Sequence, residues 1–182
     1  PFDPDDVEKD LKKVWRSLYN FEAFLSRRRF GISEDSVSMG ILVSQAYPDE
    51  LASGVVIARS PDEKNNPLEL SVAGFPGGEL QVTNPPVGTV PEVATVRQSP
   101  TGISIVVGQS TTALNLGRRV LTDDQYRELY GLVAIAYRNW NSGHPGPDLQ
   151  LDLEWKLIEV ANGRSQIILK QVRPVPNQDT RV

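Results

Sequence analysis

The chain has 182 residues, 39% hydrophobic and 23% charged, with a formal net charge of −4. Its length and apolar content are sufficient for a buried core, which excludes a disordered chain. The absence of cysteine excludes disulfides and thiolate metal sites and is typical of a cytoplasmic protein. The acidic charge disfavours nucleic acid as a partner, and no apolar run is long enough to predict a membrane span. Because the sequence starts at Pro1 instead of methionine, we expect it to be part of a longer chain.

The first predicted element is a long N-terminal helix. Asp3 and Pro4 provide a capping acid and a proline at the first helical position. The arginines at 27–29 lie at its C-terminal end, where cations stabilise the helix dipole; phosphate binding by this cluster is the alternative. Helical spacing of apolar residues predicts about seven turns that end near Gly31. These residues are Val7, Leu11, Val14, Leu18, Phe21 and Leu25.

Several strands and a second helix follow. Val37–Tyr47 is predicted as a central strand, because its MGILV run is apolar on both faces. Thr122 and Gln125 form a capping box that begins a helix, whose apolar stripe extends to Trp140. This order of elements predicts an α+β fold with a mostly antiparallel sheet and two main helices. The shorter predicted strands are Gly54–Ser60, Leu68–Phe75, Leu80–Thr83, Glu92–Gln98 and Ile103–Val107.

The last predicted element is a hairpin with polar side chains at matched spacing. Asp152 and Glu154 share one face of the first strand, since side chains alternate along a strand. Asn162-Gly163 predicts a two-residue turn. Gln171 and Arg173 share one face of the returning strand, Ser165–Val172 and beyond. If the register sets them opposite the acids, the hairpin presents two carboxylates, an amide oxygen and a guanidinium together.

This set of groups points to magnesium and phosphate chemistry. No P-loop motif is present, and GFPGGE does not have the spacing of a dinucleotide fingerprint. The single histidine, His144, lies in a loop of turn formers, so a catalytic triad and a histidine metal site are not expected. Magnesium takes one or two carboxylates plus substrate phosphates, which Asp152 and Glu154 could provide. The alternative is an ordinary solvated salt-bridge cluster.

Five segments resemble the ATP-grasp nucleotide-binding domain of the phosphoenolpyruvate synthase and pyruvate phosphate dikinase family. DLEW followed by QVRPV resembles the end of that domain. The segment VWRSLYNFEAFLSRRRFGI is similar to a family helix, and MGILVSQAYPDELASGVVIARSP to its hinge strand and the strand that follows. GGELQVTNPP and RRVLTDDQYRELYGL match later segments in the same order. The resemblance extends from about Val14 to Val175 and implies the C-terminal lobe of the ATP-grasp domain, residues 1–176, with a tail at 177–182.

The resemblance also implies roles for individual residues. Glu154 and Gln171 would bind the magnesium and phosphates of ATP with help from Asp152, and Arg173 would contact the terminal phosphates as the catalytic cation. The adenine would lie against the strand at Val43, Ser44, Gln45 and Ala46. Ser44 departs from the family pattern, in which glutamine is common. Arg59 matches a family arginine, for which we expect a supporting role.

The resemblance implies a function that this chain performs only as part of a larger protein. ATP and Mg²⁺ would serve to phosphorylate a histidine for the interconversion of pyruvate and phosphoenolpyruvate. The implied partners are the N-terminal ATP-grasp lobe and a phosphohistidine domain. Phosphoryl transfer needs positioning from both lobes, so we expect the chain alone to be inactive. The alternatives are a non-catalytic ATP-grasp-like binding or interaction module and, less favoured, a nucleotide sensor.

Overall fold

The computed structural model describes residues 4–41, 43, 47, 50–60, 68–77, 82, 85–112, 118–143 and 150–175. The chain divides into two compact units, Pro1–Ala46 and Tyr47–Val182. The first contains helices α1 (Pro4–Ser17) and α2 (Phe21–Phe30) and a short 3-10 turn at Glu34–Ser36. The second contains one long helix and six strands. They are β1 (Glu50–Arg59), β2 (Glu69–Pro76), β3 (Glu92–Ser99), β4 (Gly102–Gln109), α3 (Asp123–Gly143), β5 (Leu151–Val160) and β6 (Arg164–Pro174).

The first unit has two helices where the sequence predicted one. Asn20 interrupts the helix, because its side-chain oxygen accepts a hydrogen bond from Ala23 N at 2.7 Å and caps α2. The carbonyl of Leu18 instead accepts from Arg27 Nη1 at 2.6 Å. The predicted end of the helical segment is confirmed, since Gly31 caps α2 with a φ of 65°.

Arg27 has a structural role in the first unit. It is 6% exposed, and its Nε donates to Glu34 Oε2 at 2.8 Å, which ties α2 to the 3-10 turn. Arg28 and Arg29 lie near the rings of Phe24 and Phe30. Burial and these contacts favour the structural interpretation of the arginine cluster over phosphate binding.

The predicted central strand at Val37–Tyr47 is wrong in the residues that the structure describes. Residues 37–41, Val43 and Tyr47 have no strand conformation. The sheet has the order β4-β3-β2-β1-β5-β6, so both sides of every interior strand are already hydrogen-bonded. No interior ladder position is left for an additional strand. Residues 42 and 44–46 lie outside the described residues, as does the predicted strand Leu80–Thr83 except for Val82, which lies in a turn.

The second unit is an α+β arrangement with a six-stranded antiparallel sheet, as the sequence predicted in coarse form. Helix α3 contributes Tyr126, Leu129 and Val133 to the hydrophobic core. Its capping box is confirmed, because Gln125 N donates to Thr122 Oγ1 and Thr122 N donates to Gln125 Oε1. The main hydrophobic cluster lies on one face of the sheet, and alternate side chains of each strand lie on the opposite face, which we call the open face. Phe75 and Ile158 are buried on that opposite face.

The centre of the core is Trp155, which lies over two glycines. Trp155 is 1% exposed and is paired with Gly54 of β1, which is itself paired with Gly74 of β2. A Cβ at either glycine would lie 2.7 Å from the indole ring. The indole fits only because neither glycine has a side chain. Packing of Trp155 on the core face leaves its neighbour Glu154 on the open face.

A buried carboxylate joins β3 to the segment before α3. Glu92 is 1% exposed, and its Oε1 accepts from the Tyr126 hydroxyl at 2.7 Å. Its Oε2 accepts from Val120 N at 3.1 Å. Burial, the hydrogen bond to Glu92 and the charge of Glu92 raise the pKa of Tyr126 far above its ordinary value, whereas Arg119 opposes this rise. Tyr126 therefore stays neutral in the folded protein well into alkaline solution.

The raised pKa of Tyr126 predicts a pH dependence of stability. The unfolded chain loses the tyrosine proton above about pH 10, while the folded protein keeps it. The free energy of unfolding is thus unaffected by this group below pH ~10 and falls by about 1.4 kcal/mol per pH unit above it. In urea denaturation between about pH 10 and 11, Tyr126→Phe should show a shallower decline than the parent chain. Equal slopes would show that Tyr126 titrates normally.

Candidate magnesium and phosphate site

The candidate site lies on the hairpin formed by β5 and β6. Val160 pairs with Arg164, so the connection is the three-residue loop Ala161–Gly163 and the predicted two-residue turn is wrong. The predicted backbone geometry is confirmed, because Asn162 and Gly163 both have a φ of 67°. The additional loop residue, Ala161, precedes the two residues with positive φ. The hairpin therefore has the predicted turn residues, but its connection is one residue longer than predicted.

The register brings the four predicted polar residues together. Asp152 pairs with Arg173, and Glu154 pairs with Gln171. Directly opposed residues of antiparallel strands extend to the same side, so all four side chains lie on the open face. Leu151, Leu153 and Trp155 alternate with the acids and belong to the core. The condition that the sequence left open, a register that aligns the two pairs, is met.

Asp152 and Arg173 form an ion pair with each other. Asp152 Oδ2 accepts from Arg173 Nε at 2.9 Å and from Nη2 at 2.7 Å. The hydrogen bond and the charge of Asp152, with a smaller contribution from Glu154, raise the pKa of Arg173 above its ordinary value. The pair contributes little to stability, because the arginine side chain is 57% exposed and water screens it. The pair lies beside the opposed residues Glu154 and Gln171 of the same hairpin.

Glu154 and Gln171 are the groups most available to a ligand. Both are exposed, and within the described part of the chain neither the carboxylate nor the amide has a hydrogen-bond or ion-pair partner. The second oxygen of Asp152 likewise has no partner among these residues. Two carboxylate oxygens and an amide oxygen on one strand pair are hard ligands that suit Mg²⁺, which keeps several waters or phosphate oxygens. The donor set therefore fits a magnesium ion that also binds phosphates.

The described residues contain no group of three or more histidine, cysteine, aspartate and glutamate side chains that could hold a metal by themselves. This finding disfavours a metal cage made only of protein ligands. A magnesium ion that is shared with a polyphosphate needs fewer protein ligands. The site is accordingly suited to a metal that arrives with its phosphates.

Of the predicted adenine-binding residues, only Val43 is among those that the structure describes. Val43 belongs to the first unit and is 79% exposed, whereas Ser44 and Gln45 lie outside the described residues. His144 also lies outside them. Arg59 forms an ion pair with Glu69, its neighbour across β1 and β2. The predicted supporting role of Arg59 in ATP binding remains a prediction, and its described contact stabilises the strand pair.

Two further cations on the hairpin were not predicted. Lys156 follows Glu154 on the open face and forms an ion pair with Glu50, whose side chain is 8% exposed. Lys170 lies next to Gln171. The signal for Lys170 was present in IILKQV, where Leu169 and Val172 are separated by three positions instead of two. Both residues pack against the core, which a regular strand would not permit.

A cavity of about 530 Å³ lies on the core side of the sheet. It is bounded by Tyr130, Tyr137 and Arg138 of α3 and by Leu68 and Gln98 near strand ends. Among the described residues no carboxylate lines it, and magnesium prefers carboxylate ligands. The hairpin is the better metal site.

In the part of the chain that the structure describes, no helix combines the length and the apolar character required to cross a membrane.

Comparison with known proteins relates the chain to phosphotransferases. It is 26% identical over 198 aligned positions to a rifampicin phosphotransferase of Streptomyces sp, and the alignment covers 98% of this chain and 21% of that protein. It is 32% identical over 81 positions to the rifampicin phosphotransferase of Streptomyces sviceus, which covers 44% of this chain and 9% of that protein. The chain thus spans about a fifth or less of these relatives. No family model and no solved structure matches it.

Proposed function

We propose that the chain is the MgATP-binding C-terminal lobe of a dikinase-type phosphotransferase. The observation that carries this proposal is the register of β5 and β6, which sets Asp152, Glu154, Gln171 and Arg173 on one face. Similarity to rifampicin phosphotransferase over nearly the whole chain supports a phosphotransferase. The α+β fold with an antiparallel sheet supports an ATP-grasp lobe in its general form.

Each of the four hairpin residues would have its own role in binding MgATP. Glu154 and Gln171 would hold the magnesium ion, with Asp152 as an additional ligand through its second oxygen. Arg173 would neutralise charge on the terminal phosphates, and its ion pair with Asp152 fixes the guanidinium beside the metal position. The ion supplies charge neutralisation and orientation of the phosphates.

The whole activity requires other parts of a longer protein. An N-terminal lobe would close over the phosphates, and a histidine in a separate domain would receive the phosphoryl group. The final acceptor is pyruvate, or a drug as in the rifampicin phosphotransferases that the chain is similar to. We expect the chain by itself to bind MgATP weakly and to transfer no phosphoryl group.

Titration calorimetry of this chain with ATP tests the proposal. Binding should require Mg²⁺ and disappear when EDTA is added, and ATP should bind more tightly than AMP, which lacks the terminal phosphates. ATP binding that does not depend on a divalent ion would contradict a metal site. Absence of any nucleotide binding would favour a non-catalytic interaction module.

Arg173→Met should weaken MgATP binding about tenfold, because a charge-assisted contact with the terminal phosphates is lost. AMP binding should not change, since AMP does not reach the guanidinium. The same calorimetric titration with both nucleotides measures the difference. An equal loss for ATP and AMP would place Arg173 away from the terminal phosphates.

The second candidate is a binding module without catalysis. The ion pair of Asp152 with Arg173 favours it, since these groups satisfy each other without a ligand. In this alternative the open face of the hairpin contacts a protein and Mg²⁺ has no effect on it. The metal dependence of ATP binding therefore separates the two functions.

A further inference from the structure

The hairpin contains a β-bulge beside the candidate site. On β5, Glu154 and Trp155 are consecutive, but their partners on β6 are Gln171 and Leu169. Lys170 is thus the additional residue of β6. Bulges commonly re-aim a side chain next to a functional site.

The bulge brings two consecutive side chains onto the open face. Leu169 and Val172 both pack against the core, so the two residues between them, Lys170 and Gln171, lie on the opposite side. In a regular strand only one of two neighbours would do so. Lys170 therefore lies on the same side as the carboxylate of Glu154.

Lys170 carries its ammonium group over an aromatic ring. Its ammonium group lies 5.1 Å from the centre of the Tyr47 ring, which holds a cation through the ring face. An ammonium group donates charge-assisted hydrogen bonds to phosphate oxygens. Lys156, the other lysine of the hairpin, forms an ion pair with the largely buried Glu50.

We propose that Lys170 is a phosphate-binding residue that contacts the polyphosphate of the nucleotide bound at the hairpin. This inference rests on the proposed function for the identity of the ligand. The bulge gives the site a cation next to Gln171, on the side away from Arg173. The polyphosphate would then have a cation on each side of the magnesium ion, with Arg173 opposite Asp152 and Lys170 beside Gln171.

The test is calorimetric titration of the chain with inorganic tripolyphosphate, with and without Mg²⁺. Lys170→Met should weaken binding about tenfold under both conditions, because the lost contact is between the ammonium and the anion. Lys170→Arg should restore most of the affinity. Arg164→Met removes an exposed cation from the far end of the same strand and should leave the affinity unchanged. Urea denaturation of each variant shows whether the hairpin remains folded.

The outcomes separate this inference from the proposed function. If the chain binds MgATP and Lys170→Met binds tripolyphosphate as tightly as the parent, the inference is wrong and the proposed function stands. If the chain binds tripolyphosphate through Lys170 but shows no metal-dependent ATP binding, the phosphate contact stands and the proposed function is wrong. If the parent chain binds neither ligand, both are wrong.

Discussion

Glu154→Gln is expected to weaken binding of MgATP at least about tenfold, because a neutral amide replaces the most available carboxylate of the site. The substitution keeps the length and nearly the volume of the side chain, so it tests charge and metal affinity. Glu154 is exposed, and the core face of β5 is unchanged, so the fold should be retained. Titration calorimetry with MgATP, and with Mg²⁺ omitted, measures the effect.

Glu159→Gln is the matched control for this experiment. Glu159 is an exposed carboxylate on the same strand, near the loop end of the hairpin. The Glu159→Gln variant should bind MgATP as tightly as the parent chain does. Equal affinities of the parent chain and Glu154→Gln would remove Glu154 from the metal site and with it the main support for a magnesium-dependent function.

Gly54→Ala should destabilise the second unit by about 3 kcal/mol or more, because the new methyl group overlaps both backbone and ring. Its Cβ would collide with the Ala73 carbonyl oxygen and lie 2.7 Å from the Trp155 ring. Because β1 is hydrogen-bonded to β2 and to β5, neither Ala73 nor Trp155 can move away from the new methyl group easily. Urea denaturation followed by tryptophan fluorescence measures the loss.

Gly131→Ala provides a control of opposite sign. Gly131 is an exposed residue within α3, and a Cβ there would meet nothing within 4 Å. Alanine should raise the free energy of unfolding by up to about 1 kcal/mol, since glycine weakens a helix interior. A destabilisation by Gly54→Ala as small as a few tenths of a kcal/mol would show that Trp155 does not pack as described.

The hairpin was predictable because its signals are local. The alternation of Asp152 and Glu154 with apolar residues fixes which face is polar, and Asn162-Gly163 fixes the region of the turn. The sequence left the register open, and the structure shows one that buries the apolar face of both strands. The loop length was not predictable to one residue, since two- and three-residue connections both use these turn residues.

The wrong predictions share a physical cause. Each was made from the spacing of apolar residues, and each was overturned by an interaction that this spacing does not show. A helical apolar spacing continued through Asn20, but the side chain of that residue offers a cap that a periodic count ignores. The apolar run MGILV at 39–43 resembles a buried strand in the sequence, yet whether a ladder position exists depends on the other strands. The bulge at Lys170 accompanies packing of both Leu169 and Val172 against the core, and their spacing of three positions in IILKQV was the signal that the prediction missed.

Two of the segments that carry the family resemblance pack against each other in the core. Gly54, from the segment ASGV, leaves the space that Trp155, from DLEW, occupies. Because the indole lies on the core side, Asp152 and Glu154 are held on the open face. The tryptophan and the glycine thus act as positioning residues for the acids, although neither would touch a ligand.

The proposed function requires that the open face of the β5–β6 hairpin bind a divalent metal ion together with phosphates. Paramagnetic broadening of backbone amide NMR signals by Mn²⁺, added in place of Mg²⁺ with ATP, tests it most directly. We expect broadening to centre on Glu154 and Gln171, to extend to Asp152 and Lys170, and to be lost in Glu154→Gln. Broadening centred elsewhere in the chain, or unchanged in the variant, would contradict it.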